Sequence, residues 1–307
     1  MLPMVNPESL GAGNVPAAAS AEPPVLPRTV ERGVVVFDLD GTLLDDIKLI
    51  SQVAADVLYH EFGTPPEEGR IHYLATTGMP FEAQLAQLYP DSSLEARQRA
   101  ARLFHERKVR EAYAYARPFP EVPRLLKTLE RERWTLVVST GAERETAELL
   151  LEREGIRIWF DGVLGSGQGT KREHLREYGR RYPGVPRHLV GDSRFDLEAA
   201  QGERVAMFAR AATYPGWTLS PKDFRLWGAV WADFSLSELP GALAAHEKAP
   251  GASPGPMPRA GERDRKARGR RKSPPRRRKP RGSPSARRHR GGPGPRRSGR
   301  RLVPAPL

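Results

Sequence analysis

The sequence predicts an α/β fold, a parallel sheet with helices on both faces and a helical block inserted behind its first strand. Three observations predict it. Short Val-rich apolar runs recur between residues 34 and 208, and amphipathic stretches of helical spacing separate them. The first of these runs ends in polar residues instead of alternating with them, as a strand buried on both faces does. Between the first run and the second, residues 45–115 carry helical periodicity and no convincing strand.

Val34 to Leu39 is the first strand, and Asp38 and Asp40 stand at its end. Asp46 to Phe62 then sets Ile47, Ile50, Val53, Ala54, Val57, Leu58 and Phe62 at helical spacing, and Gly63 with Pro65 stops it. Pro80 opens a short helix carrying Phe81, Leu85 and Leu88, and Leu94 to Tyr115 reads as one long charged helix. After this block the alternation begins. Helix Pro120 to Arg133 leads to strand Thr135 to Ser139, and helix Glu143 to Arg153 to strand Gly162 to Leu164. Helix Lys171 to Tyr182 leads to strand His188 to Val190, and helix Arg194 to Gln201 to strand Val205 to Phe208. Such alternation implies a Rossmann-like parallel sheet. From Tyr214 to Ala229 the pattern is poor, and Trp217, Trp227 and Trp231 are read as packing residues, since aromatic groups bury area. Leu236 to His246 is a closing helix. The expected domains are a disordered leader (1–32), a core (33–44 and 116–247), a helical cap (45–115) and a disordered basic tail (248–307).

Charge divides the chain the same way. Of 50 Lys and Arg and 37 acids, residues 248–307 hold 21 and two, a net of +19. The other 247 residues hold 29 against 35, a net of −6. Cysteine is absent, which excludes disulfides and thiolate metal sites and suits a cytoplasmic setting. The leader lacks the basic start and apolar core of a secretory signal, and no window approaches the roughly 20 apolar residues of a membrane span.

The polar residues at the strand ends carry the chemistry. Residues i and i+2 of a strand share a face, so Asp38 and Asp40 point together while Leu39 faces away. In open α/β sheets ligands bind beyond the carboxyl ends of the strands, where this pair lies. Two adjacent anions repel, and oxygen-only ligands suit Mg²⁺. Ser139 ends the second strand in VVSTG, Lys171 follows the loop GSGQGT, and GDSRFD brings Asp192 and Asp196 to the end of a later strand. All of these can converge on one crevice. The loop GSGQGTK does not satisfy Gly-x-x-x-x-Gly-Lys-Ser/Thr, so no nucleotide-binding loop is read there.

FDLDGT, a strand-terminal Ser, an isolated Lys and GDxxxD, in that order, resemble the haloacid dehalogenase (HAD) superfamily, over roughly Val34 to His246. The helical insertion between the first two motifs resembles the superfamily's phosphoglycolate phosphatase-like branch. Within it, TTGMPFEAQL resembles the Gly-x-Pro stretch of such caps. The resemblance implies a HAD-like phosphatase with Asp38 as nucleophile and Asp40 as acid and base. It implies Mg²⁺ held by Asp38, the Asp40 backbone carbonyl and Asp192, with Asp196 in support. It implies that Ser139 and Lys171 hold the phosphoryl oxygens, with Thr140 able to share or take the place of Ser139, and that Thr42 orders the turn. Dehalogenases lack the second acid, because halide leaves without a proton, so Asp40 argues for phosphoryl transfer.

The substrate expected is a small phosphorylated metabolite. Cap residues Lys48, Arg70, His72, Thr77 and Gly78 are candidates for the leaving group. Lys48 and Lys108 are formally available for imine chemistry, which Asp40 counts against, and the seven histidines show no metal-ligand spacing. There are two rivals: a sugar phosphomutase, which would use the same acids but return phosphate to a sugar, and a nucleic-acid-associated protein whose phosphatase-like body is secondary or acts on polynucleotide ends. The tail supports at most a nonspecific electrostatic arm, since no aromatic residue follows Phe234 to stack on bases. Its Arg, Pro, Gly and Ala are also what a misread GC-rich frame would produce.

Overall fold

The computed structural model describes residues 30–248. The tail expected at 248–307, and the leader as far as residue 29, therefore lie outside the described residues apart from Lys248. Of the leader, Val30 to Arg32 are described, and Arg32 is anchored. It stacks 4.7 Å over the Trp134 ring and pairs with Glu132 at 2.9 Å and Glu247 at 2.6 Å.

The main sheet has six parallel strands in the order β3-β2-β1-β4-β5-β8. They are β1 (Gly33–Phe37), β2 (Trp134–Ser139), β3 (Gly162–Leu164), β4 (Arg187–Gly191), β5 (Ala206–Arg210) and β8 (Trp231–Asp233). Period-two geometry sorts their side chains to two faces, and both faces are buried. Val35, Phe37, Leu136, Val138 and Phe208 join one apolar cluster, while Val34, Val36, Val137, Leu189 and Met207 join the other. Helices α5 (Val122–Arg131), α6 (Arg144–Arg153) and α10 (Leu239–Lys248) contribute to the first cluster. Helices α7 (Lys171–Arg181), α8 (Arg194–Gly202) and α9 (Pro221–Trp227) contribute to the second.

The insertion is helical, as expected, with one helix more and one helix altered. After α1 (Ile47–Phe62) comes α2 (Pro66–Ala75), which the spacing did not predict, then α3 (Phe81–Leu88). The single helix expected over Leu94 to Tyr115 is α4 (Leu94–Arg107) followed by a π-helical stretch, Lys108–Tyr113. The insertion continues the first apolar cluster through Ile50, Val57, Leu85 and Phe104. The unpatterned stretch near residue 214 is an antiparallel hairpin of β6 (Ala212–Tyr214) and β7 (Trp217–Leu219), then α9. Trp227 is buried, and Trp217 and Trp231 pack against the core, as the aromatic reading expected.

Candidate active site

Register places the motif residues on one level. Phe37 of the central strand β1 lies opposite Val138 of β2 and Val190 of β4, so Asp38, Ser139 and the Gly191–Asp192 step all fall at the same sheet edge. The chain then turns sharply. Gly41 takes φ +77°, and the Gly41 amide donates to the Leu44 carbonyl at 2.9 Å and to Asp46 Oδ1 at 3.1 Å.

Asp38, Asp192 and Asp196 form a buried cluster in which one carboxylate oxygen from each lies within 4.8 Å of the others. Lys171 closes it, with Nζ 2.8 Å from Asp38 Oδ1 and an ion pair to Asp196. Burial, reinforced by Asp196 and Asp40, pushes the Asp38 carboxyl up to about 7 against the pull of Lys171. Burial and then the charges of Asp38 and Asp196 push Asp192 up as well. For Lys171 burial opposes the charge, but Asp196 and Asp38 outweigh it and raise the ammonium's pKa. Lys171 sets a single positive charge against three buried carboxyl groups, and Asp192 Oδ1 is buried without a hydrogen-bond partner. This oxygen-only, electron-rich set fits a divalent Mg²⁺.

Asp40 stands apart from that cluster. Its Oδ2 accepts from Lys108 Nζ at 2.7 Å and from the Tyr113 hydroxyl at 2.9 Å, both from the π-helical stretch. Asp46 is buried beside it, and burial, then the Asp40 charge, raises its pKa. Thr42 Oγ1 is buried and lacks a partner.

Ser139 is fully buried, and its hydroxyl meets His174 Nδ1 at 2.9 Å. The tautomer follows from the other ring nitrogen. Nε2 lies 3.1 Å from the Gly165 carbonyl, which can only accept, so Nε2 carries the hydrogen. Burial, then the nearby Lys171 charge, pulls His174 down to about 4, so the neutral ring accepts at Nδ1 and Ser139 donates. Thr140 Oγ1 accepts from the Ala142 amide at 3.0 Å and closes the turn after β2.

The structure thus gathers Asp38, Asp192, Asp196 and Lys171 around one point, and sets Asp40 a step away under the insertion. Sequence reasoning missed His174, Tyr113 and Asp46, and named Lys108 only for imine chemistry. Of the other insertion residues weighed, Lys48 is exposed, Arg70 pairs with Glu67, His72 lies 3.6 Å from Glu68, and the Thr77 hydroxyl donates to the Tyr73 carbonyl. Gly78 abuts Ser193 of the GDSRFD loop.

Known proteins resemble this chain in sequence and in fold. The family model for haloacid dehalogenase-like hydrolases matches residues 35–209. A phosphoglycolate phosphatase of Vibrio vulnificus is 27% identical over 194 residues, covering 59% of this chain and 84% of its own. One from Synechococcus elongatus is 29% identical over 184 residues, covering 59% and 83%. The structure of a hydrolase from Pseudomonas syringae superposes with a TM-score of 0.58 at 20% identity, over 70% of this chain and 99% of its own, a likeness of fold. With more than half of its length matched by that family model, the chain belongs to the haloacid dehalogenase-like hydrolase family.

Proposed function

We propose that this protein hydrolyses a small-molecule phosphate monoester with Mg²⁺, through an aspartyl-phosphate on Asp38. The chain is a phosphoric monoester hydrolase of the haloacid dehalogenase-like kind. The observation that carries the finer reading is the convergence of Asp38, Asp192, Asp196 and Lys171 within one buried cluster. The relatives named phosphoglycolate phosphatase support a small phosphorylated metabolite as substrate.

In the first step a carboxylate oxygen of Asp38 bonds to phosphorus as the ester P–O bond breaks, and Asp40 gives its proton to the departing oxygen. In the second, Asp40 takes a proton from water, the water oxygen bonds to phosphorus, and Asp38 leaves as carboxylate. Lys171 balances charge on the phosphoryl oxygens, and the unpartnered Thr42 hydroxyl is a second donor for them. Ser139 would join them only by turning its hydrogen away from His174. Asp38, Asp192, Asp196 and the Asp40 carbonyl would hold Mg²⁺, which when bound neutralises charge on the transferring group.

A panel of small phosphate esters assayed with Mg²⁺ tests the reading. Free inorganic phosphate should accumulate, which separates hydrolysis from transfer to a sugar. Asp38→Asn should lower turnover by roughly 10³-fold or more. Near-wild-type turnover in that variant would remove Asp38 as nucleophile.

A further inference from the structure

The mechanism above leaves Lys108 without a task. Lys108 and Tyr113 bound the π-helical stretch, five residues apart. In an α-helix of 3.6 residues per turn they would face about 140° apart. Hydrogen bonding from i to i+5 turns them toward the same side instead. Both then reach Asp40 Oδ2, at 2.7 and 2.9 Å, and the Lys108 ammonium lies 4.6 Å over the Tyr113 ring. The Lys108 side chain is only 12% exposed. Turns of this kind inside helices are frequent at functional sites.

A leaving oxygen that takes a proton from Asp40 must approach that carboxylate within about 3.2 Å. Lys108 Nζ then stands no more than two hydrogen-bond lengths from that oxygen if both use Asp40 Oδ2, at most roughly 6 Å. A substituent one or two carbons along the leaving group meets the ammonium. Lys108 is paired with the Asp40 carboxylate, but while Asp40 carries the proton it is to donate that counter-charge is absent, and a nearly buried ammonium then attracts an anion and repels a cation. Two other cations of the insertion weighed for the leaving group are placed differently, since Arg70 pairs with Glu67 on its own helix and Lys48 is exposed.

We infer that Lys108, braced by Tyr113, is the specificity-determining contact for the leaving group, and that it selects phosphate monoesters carrying a carboxylate one or two carbons from the ester oxygen. The inference rests on the phosphatase reading above.

The full-length protein with Mg²⁺ is assayed on three esters of similar size, phosphoglycolate, hydroxyethyl phosphate and phosphoethanolamine, with p-nitrophenyl phosphate as a separate reporter. kcat/KM should fall in that order, by about tenfold or more between the carboxylate and the hydroxyl. Lys108→Met should bring that ratio within about threefold, whereas Lys108→Arg, which keeps the charge, should preserve the ranking. A lysine that only braces Asp40 would lower all three esters alike and leave their ratios unchanged. That result, or a wild type that ranks the three equally, overturns the inference. The phosphatase reading then survives if p-nitrophenyl phosphate turnover persists and is abolished by Asp38→Asn. No turnover of any of the four esters overturns both.

Discussion

Gly41 is the residue on which the two acidic groups meet. Its φ of +77° suits glycine, and a Cβ there would lie 2.2 Å from Asp192 Oδ2 and 2.7 Å from Ile47 Cγ1. Gly41→Ala should therefore cost more than about 1 kcal/mol of stability, because the backbone is incompatible with a side chain. It should also push Asp192 out of the cluster and weaken Mg²⁺ binding by roughly tenfold or more, read by calorimetric titration of the folded variant. Unchanged affinity would mean that Asp192 is not held by this close approach. The acids themselves were legible in the sequence because each sits within a few residues of a strand end. Their partners were not. Lys108 and Tyr113 lie 68 and 73 residues from Asp40, and His174 lies 35 from Ser139, so only the docking of separate elements brings them together.

Among the elements, five of the six parallel strands were legible as short apolar runs buried on both faces, whereas the three-residue edge strand β8 was not, and the family resemblance built on the strand ends is borne out. Helix α2 was not, since Gly69 in its middle weakens the helical pattern. The packing explains the glycine: a Cβ at Gly69 would sit 3.3 Å from Ala55 Cα of α1, so the two helices meet at that point. The π-helical stretch was hidden because it follows α4 with no Gly, Pro or capping residue to mark the change. Strand β4 carries a further consequence. His188 is 3% exposed and neither ring nitrogen has a partner, with the Trp134, Phe208 and His246 rings packed around it. Burial, aided by His246 and Arg32 and opposed by Glu247, lowers its pKa to about 4. The unfolded chain binds this proton more tightly, near the ordinary 6.5, so the fold is favoured above pH 6.5 and loses stability as pH falls from there toward 4. The loss amounts to about 3 kcal/mol at most. His188→Phe should flatten the fall in Tm between those pH values, and an unchanged slope would assign the acid sensitivity to other groups.

At the scale of the whole molecule the chain pairs an acidic body with a basic extension, and the two call for different physics. Residues 249–307 hold 20 Lys and Arg against two acids, enough to release many counterions from a polyanion. The proposed chemistry draws on none of them, because every residue assigned to it lies between Asp38 and Asp196. A chain ending at Lys248 should then keep kcat/KM on small phosphate esters within about twofold in moderate salt, where exposed charges more than roughly 8–10 Å apart are screened. The same truncation should abolish retention on duplex DNA, whose binding by the full-length chain should weaken steeply with salt, on the order of 0.9 in the log–log slope for each phosphate neutralised. Filter binding over a salt series and a parallel ester assay separate the two properties. Turnover that falls with the truncation, on small esters and in moderate salt, would show that the basic extension serves the active site itself, and the rival reading of an enzyme acting on polynucleotide ends would then gain the ground that the small-molecule reading lost.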